Sequence, residues 1–148
     1  MKKNYILILL MVTLSLSISS CSNDDDNNSI ESTWEATHEG LIVDGVETLT
    51  PISNEGGCDK NTITFLNNGT YTETYSEFND SECATFSESG TWSKEGNSLT
   101  TKYTAYDDDE AVIAEILELN KSTLKLKYIH TDPQGKVVEI YVVVLKRK

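Results

Sequence analysis

The sequence predicts an all-β fold, an antiparallel up-and-down β-barrel of about eight strands, with a β-sandwich as the alternative architecture. From Ile30 onward, short segments alternate apolar and polar residues with a period of two, as strands with one buried face do. Turn residues such as Asn, Gly and Pro separate these segments, so consecutive strands are joined as hairpins. Eight such strands in roughly 115 residues suit a small closed barrel, whose interior either fills with side chains or holds one small ligand.

Two hairpins have registers that the sequence predicts. The turn at Asn67-Asn68-Gly69 sets Phe65 opposite Tyr71, because Asn and Gly tolerate the positive φ of a tight turn. The turn at Gly96-Asn97 pairs Lys94 with Leu99 and Trp92 with Thr101, which places Trp92, Leu99 and Tyr103 on one face. One added ribbon can form over residues 41–46. The eight predicted strands are centred on Thr33, Ile63, Thr72, Trp92, Thr101, Ile116, Leu126 and Tyr141.

The C-terminal third is predicted to form the last three strands. Residues 111–119 carry apolar side chains at helical spacing, but we predict a strand because the segment is short, uncapped and flanked by strands. A turn at Lys121-Ser122 would then place Leu117 and Leu119 beside Leu126 and Leu124. A second turn spans residues 132–135, where Pro and Gly fit the turn geometry. The final strand, residues 137–145, is apolar on both faces except for Glu139, as expected of a strand covered on both sides or lying at a barrel seam.

The N-terminus reads as a lipoprotein export signal. Lys2 and Lys3 precede a largely apolar stretch that is too short to span a membrane. Ile18-Ser19-Ser20-Cys21 resembles a bacterial lipobox, which predicts a signal peptide at residues 1–20 and a lipid anchor on Cys21. The chain would then consist of this signal peptide, a lipidated acidic tether at 21–30 and a β-barrel domain at 31–148.

The tether also bears on localisation. Residues 22–29 are polar and acidic and offer nothing to bury, so we expect a solvated spacer. Asp24, Asp25 and Asp26 resemble the acidic export signals of Gram-negative surface lipoproteins. Ser22 lacks the acidic character of an inner-membrane retention signal. We therefore expect an outer-membrane lipoprotein exposed on the cell surface, the alternative being the periplasmic leaflet.

The net charge of the chain excludes nucleic acid as a partner. Without the signal peptide the chain keeps 10 basic and 24 acidic residues, a balance that repels nucleic acid. The membrane is expected to be reached only through the lipid on Cys21, and the protein is expected to be a monomer.

The remaining two cysteines, Cys58 and Cys83, predict a disulfide in an oxidising compartment. Closing that loop of about 25 residues lowers the entropy of the unfolded chain and thereby stabilises the folded state by roughly 3 kcal/mol.

Several short motifs, taken in order, resemble the lipocalin-like domain of short bacterial lipoproteins. The resemblance covers residues 30–146 and implies a barrel with an apolar-ligand site, without any established chemistry. It departs from the usual pattern at Ser32, where such domains carry glycine, and in the long stretch 39–60. The matching pieces are Ser32-Thr33-Trp34, Cys58, the hairpin 62–71, Gly90-Thr91-Trp92-Ser93, the segment 96–100 and the segment 117–124.

No motif for catalysis is found, so we expect a non-catalytic protein without metal or cofactor. The sequence holds no GxSxG, HExxH or P-loop pattern. Its two histidines, His38 and His130, are far apart and are expected to be partly exposed strand residues. The acidic run Asp107-Asp108-Asp109-Glu110 lacks the spacing of a calcium loop and is expected to be a solvated turn.

The remaining signal is a set of aromatic and acidic residues that the hairpin registers place on inward faces. Burying a carboxylate costs free energy unless the group is paired or hydrated. The glutamates therefore suggest a polar-edged pocket for a small, partly apolar ligand. The simpler interpretation is that the aromatics fill the core and the glutamates lie at its rim. Two functions follow: a ligand-binding lipoprotein, or a surface interaction or structural lipoprotein with a filled core. Besides the core residue Phe65, the candidate ligand-binding residues are Tyr71, Glu73, Tyr75, Phe86, Glu88, Trp92 and Tyr103.

Overall fold

The computed structural model describes residues 28–104 and 111–148, apart from the side chain of Glu55. The predicted signal peptide, Cys21, most of the tether and the acidic run at 107–110 lie outside these ranges. Within them, no helix is long and apolar enough to cross a membrane. The described residues form one 3-10 turn, Glu55–Gly57, and nine strands: β1 (Ser32–Val43), β2 (Val46–Pro51), β3 (Thr62–Phe65), β4 (Thr70–Asn79), β5 (Glu82–Glu95), β6 (Ser98–Tyr103), β7 (Val112–Leu119), β8 (Thr123–Thr131) and β9 (Val137–Arg147).

The strands form one antiparallel sheet that closes into a barrel. Their order is β2-β1-β3-β4-β5-β6-β7-β8-β9, and pairing of β1 with β9 closes the sheet on itself. Eight strands therefore make the barrel, as predicted. Residues 41–46, where an added ribbon was predicted, form the end of β1 and the turn into β2, and the ribbon continues through β2 to Pro51. Strand β1 is long enough to pair with β3 through its first residues and with β2 through its last ones.

The predicted hairpin registers are confirmed with one exception. Phe65 lies opposite Tyr71, and Trp92 lies opposite Thr101. In the β7–β8 pair, Leu119 faces Leu124 as expected, but the prediction that Leu117 lies beside Leu126 is wrong. A bulge between Ile116 and Glu118 adds one residue to β7, so that Ile116 takes the buried position opposite Leu126. Leu117 is 41% exposed as a result.

The two ambiguous segments are both strands. Residues 112–119 pair with β6 on one side and β8 on the other, so sheet pairing overrides their intrinsic helical preference. Strand β9 lies at the barrel seam between β8 and β1, which agrees with its apolar character on both faces.

The ribbon β1–β2 covers the outer face of the seam. Val142 points away from the interior, yet it is fully buried. Gly40, its partner on β1, lets the ribbon approach closely, because a β-carbon at Gly40 would lie 1.8 Å from the carbonyl oxygen of Thr48. Lys125 on β8 forms an ion pair of 2.7 Å with Glu47 of the ribbon. The ribbon therefore gives β9 its second apolar cover.

One end of the barrel is filled by a hydrophobic core. Trp34 is at its centre and donates a hydrogen bond of 2.7 Å from its indole nitrogen to the carbonyl of Ile30. The guanidinium of Arg147 lies 4.5 Å from the centre of the Trp34 ring and also donates a hydrogen bond to the carbonyl of Ser29. The other buried members of this core are Phe65, Tyr71, Leu99, Ala114, Ile116, Leu124, Leu126 and Leu145.

The predicted disulfide is confirmed. Cys58 and Cys83 are bonded, with Cα atoms 5.5 Å apart and a sequence separation of 25. The bond ties the connection between β2 and β3 to the beginning of β5. That connection contributes Ile52 and Asn61 to the cavity wall described next.

Candidate ligand-binding cavity

A cavity of about 580 Å³ lies inside the barrel beside the filled core and is partly open to solvent. Most of its wall is apolar or aromatic, and its polar side chains come from several different strands. The filled-core interpretation therefore describes one end of the barrel and not the whole interior. Aromatic residues of the wall are Phe65, Tyr71, Tyr103, Tyr128 and Tyr141, and ionisable side chains other than tyrosine are Glu39, Glu73, His130 and Glu139.

Gly90 shapes the wall between Tyr71 and Tyr103. It lies on β5 directly opposite Tyr71 of β4 and Tyr103 of β6. A β-carbon at Gly90 would lie 2.6 Å from the ring of Tyr71 and 2.0 Å from the carbonyl oxygen of Lys102. Because this position has no side chain, the two tyrosine rings approach each other over β5, with centroids 5.9 Å apart and planes at 66°.

A bulge on β1 brings Glu39 into the cavity. Trp34 and Ala36 point inward, so simple alternation would point His38 inward as well. The register against β9 shifts between Ala36 and His38, and Glu39 lines the cavity instead.

Two tyrosine–glutamate pairs fix two of the three carboxylates of the wall. The Tyr103 hydroxyl donates a hydrogen bond of 2.8 Å to Oε2 of Glu73, reaching from β6 across β5 to β4. The Tyr141 hydroxyl donates to Oε2 of Glu39, reaching from β9 to β1. No other described residue donates to the Oε1 atom of either carboxylate, so this atom can accept a further hydrogen bond.

The tyrosines of the wall remain neutral donors at physiological pH. Burial raises the pKa of Tyr128 to about 12, and the nearby charge of Glu73 adds to the effect. Burial also raises the pKa of Tyr103, assisted by its hydrogen bond to Glu73. The same two causes, with Glu39 as the partner, raise the pKa of Tyr141.

Tyr71 differs from Tyr103 and Tyr141 because its hydroxyl donates to no carboxylate of the wall. The residue is 1% exposed and lines the cavity, and its hydroxyl finds no hydrogen-bond partner within the described part of the chain. Burial, followed by the charges of Glu73 and Glu88, raises the pKa of this hydroxyl, and the nearby hydroxyls of Tyr103 and Thr101 offset part of the rise. A buried polar atom without a partner costs free energy, which a ligand or water would relieve.

The cavity has an excess of negative charge. Among the described residues, no lysine or arginine forms an ion pair with Glu39, Glu73 or Glu139. His130, opposite Glu139 across β8 and β9, is the one basic side chain among the described residues of the wall. Both histidines lie on strands, His38 half-buried and His130 exposed. In the part of the chain that the structure describes, no three His, Cys, Asp or Glu side chains are grouped to hold a metal ion.

The structure brings three of the seven candidate ligand-binding residues to the cavity, namely Tyr71, Glu73 and Tyr103. The other four lie on the inward face of the sheet but do not line the cavity. A ligand-binding role for any of the seven remains a prediction. Tyr75 stacks on Phe86, which is 43% exposed, and its hydroxyl lies 3.4 Å from Glu88. Trp92 packs edge-on against Phe65 in the core and donates to the carbonyl of Leu66.

Five aromatic or ionisable residues of the wall were not among the sequence candidates. Tyr128 and His130 continue the alternation that begins at Leu124 and Leu126, and this pattern could have identified them. The other three lie on strands with a bulge or an undefined face: Glu39, Glu139 and Tyr141.

The comparisons with known proteins agree with this architecture. Residues 30–126 match the family described as a lipocalin-like domain. A lipocalin-like protein from Bacteroides uniformis superimposes with a TM-score of 0.55 at 12% identity, covering 80% of this chain and 97% of its own. An uncharacterized protein from Bacteroides eggerthii gives a TM-score of 0.54 at 9% identity, covering 81% and 100%. No curated protein matches the sequence. The closed barrel and the family match over most of its strands lead to one conclusion: the chain belongs to the lipocalin-like domain family.

Proposed function

We propose that this protein is a non-catalytic, lipid-anchored binding protein that holds one small, partly apolar molecule inside its barrel. The observation that carries the proposal is the cavity of about 580 Å³. Ligand sites typically measure about 300–1,000 Å³ and combine an apolar wall with a few fixed polar groups. The tyrosine–glutamate pairs at Tyr103 and Tyr141 supply such fixed polar groups.

Binding of an apolar fluorescent dye tests this function. The probe is N-phenyl-1-naphthylamine, titrated into the mature chain from residue 21 with Cys21→Ser to remove the lipid. We expect saturable binding with one dye per chain. Thr101→Phe should abolish it, because Thr101 lines the cavity and a phenyl ring would occupy it.

The neighbouring threonine on β6 provides a matched control. Thr100 is also half-buried, but it points away from the cavity, so Thr100→Phe should leave dye binding unchanged. Dye binding that is equally strong in both variants, or that never saturates, would contradict an internal site.

The lipid anchor and its location form the second part of the proposal, supported by the lipobox at residues 18–21 and the acidic tether. Mass spectrometry of the mature protein should find a diacylglyceryl group on Cys21, and Cys21→Ser should release the protein from membranes. Protease added to intact cells should degrade a surface-exposed protein. Protection on intact cells, with degradation after the cells are disrupted, would instead indicate the periplasmic leaflet.

A further inference from the structure

We propose that the ligand is an organic cation, a molecule with an apolar body and a primary ammonium group that binds beside Glu73. This inference rests on the proposed binding function and specifies the chemistry of the ligand. It follows from the charges of the wall, from one buried hydroxyl and from the arrangement of the aromatic rings.

The charges of the wall favour a cation. Glu73 lies on the inward face of β4, directly opposite Glu88 of β5, and like charges in this position repel each other. Within the described ranges neither carboxylate forms an ion pair with a lysine or arginine. A bound ammonium group would supply the missing positive charge.

The buried hydroxyl of Tyr71 points to a donor on the ligand. Tyr71 and Glu73 lie two residues apart on the same face of β4, and both line the cavity. The hydroxyl is buried without a hydrogen-bond partner in the described structure. Tyr103 donates to Oε2 of Glu73, so Oε1 of Glu73 can accept a hydrogen bond from the ligand. A primary ammonium group carries three N–H donors and can serve both acceptors at once.

The aromatic wall suits the same group. The rings of Tyr71 and Tyr103 meet edge to face beside Glu73, and Tyr128 lines the cavity as well. Ammonium groups bind favourably over the faces of such rings, most strongly where water is excluded. An anionic ligand such as a fatty acid would find only His130 as a basic partner among the described wall residues.

Three probes with the same apolar chain test the proposal: decylamine, 1-decanol and decanoate. Each is titrated calorimetrically at neutral pH into the mature chain carrying Cys21→Ser. We expect decylamine to bind at least about tenfold more tightly than decanol, the difference that one or two charge-assisted hydrogen bonds provide. Decanoate should bind most weakly.

Two variants assign the preference to the proposed site. Glu73→Gln should weaken decylamine about tenfold and leave decanol within about twofold. Tyr71→Phe should also weaken decylamine while raising the resistance of the free protein to urea, because it removes the unpartnered hydroxyl. Glu95→Gln is the matched control, since it removes the same charge at an exposed position of β5 and should change neither affinity.

The outcomes separate this inference from the function on which it rests. Equal binding of decylamine and decanol, or tighter binding of decanoate, would overturn the cation proposal and leave a binding cavity. A preference for decylamine that survives both Glu73→Gln and Tyr71→Phe would overturn its assignment to this site. If none of the three probes bound, both proposals would fail. Should Glu73→Gln not fold, Tyr71→Phe still provides the test.

Discussion

Gly90 determines the aromatic wall by having no side chain. Tyr71 and Tyr103 flank it on the two neighbouring strands, and the space that a β-carbon would need is taken by the Tyr71 ring and the Lys102 carbonyl. The backbone of this strand therefore lies close beneath the Tyr71 ring. A glycine inside a strand usually marks such a close approach.

Gly90→Ala should destabilise the fold by about 1–3 kcal/mol, the usual range for overpacking, because the methyl group has to displace backbone as well as a ring. Urea unfolding followed by tryptophan fluorescence measures the change. Ser93→Ala, at an exposed position of the same strand, should have an effect close to zero. Equal stability of Gly90→Ala and the natural protein would contradict the packing described around this residue.

Tyr128 should make the fold sensitive to strong base. Its pKa is raised from 10.0 to about 12, so the folded protein holds this proton more tightly than the unfolded chain. The contribution of this proton to the free energy of unfolding is fully present below pH 10 and is lost as the pH rises through 12. Roughly 2–3 kcal/mol follows from a shift of this size.

Urea unfolding at a series of pH values from 8 to 12 measures this loss, and Tyr128→Phe separates it from other effects. The variant lacks the titrating hydroxyl, so its stability should fall less steeply above pH 10. Parallel curves for the two proteins would show that Tyr128 does not contribute.

At the scale of the strand, local turn chemistry could be predicted from the sequence and bulges could not. The turns at Asn67-Asn68-Gly69 and at Gly96-Asn97 each contain a glycine at positive φ, Gly69 and Gly96, and both registers are as predicted. The bulges in β1 and β7 depend on how strands fit around a closed barrel, which no local pattern records. This explains why the position of Leu117 was predicted incorrectly and why Glu39 was not recognised as a wall residue.

The disulfide should stabilise the element that it ties down. Replacing both Cys58 and Cys83 by alanine opens a closed loop of 25 residues and should cost about 3 kcal/mol through the added freedom of the unfolded chain. Thermal and urea unfolding measure the loss in the oxidised protein. The same double variant should be insensitive to reducing agent, whereas the natural pair should lose a similar amount on reduction. A difference below about 1 kcal/mol would mean that native interactions already hold the connection.

At the scale of the whole molecule, acidic charge dominates. Residues 31–148 hold 21 acidic and 10 basic side chains, and the described ion pairs neutralise only part of this excess. Self-repulsion of this kind lowers the stability of a compact fold and is screened by salt. The sequence predicted this charge and the closed barrel, because composition and hairpin order depend on the chain itself. It did not decide between a filled and a hollow interior, because that depends on how side chains from distant strands meet.

The melting temperature should therefore rise by a few degrees between 20 and 300 mM NaCl, because screening of repulsion outweighs the weakening of exposed ion pairs. Differential scanning calorimetry of the mature chain with Cys21→Ser measures the change. KCl should act like NaCl if screening is the cause. A melting temperature that falls with salt would show that the ion pairs outweigh the repulsion.

Barrel closure also bears on aggregation. An open sheet has two edge strands whose free backbone groups can pair with another chain. Here β1 pairs with β9, and β2 is the one described strand that has a neighbouring strand on a single side. That strand has six residues, carries the charged Glu47 and ends at Pro51, which has no backbone N–H to offer. Short length, charge and proline are the features by which natural proteins protect such an edge. The ribbon that covers Val142 thus also ends the sheet in a form unsuited to adding a foreign strand.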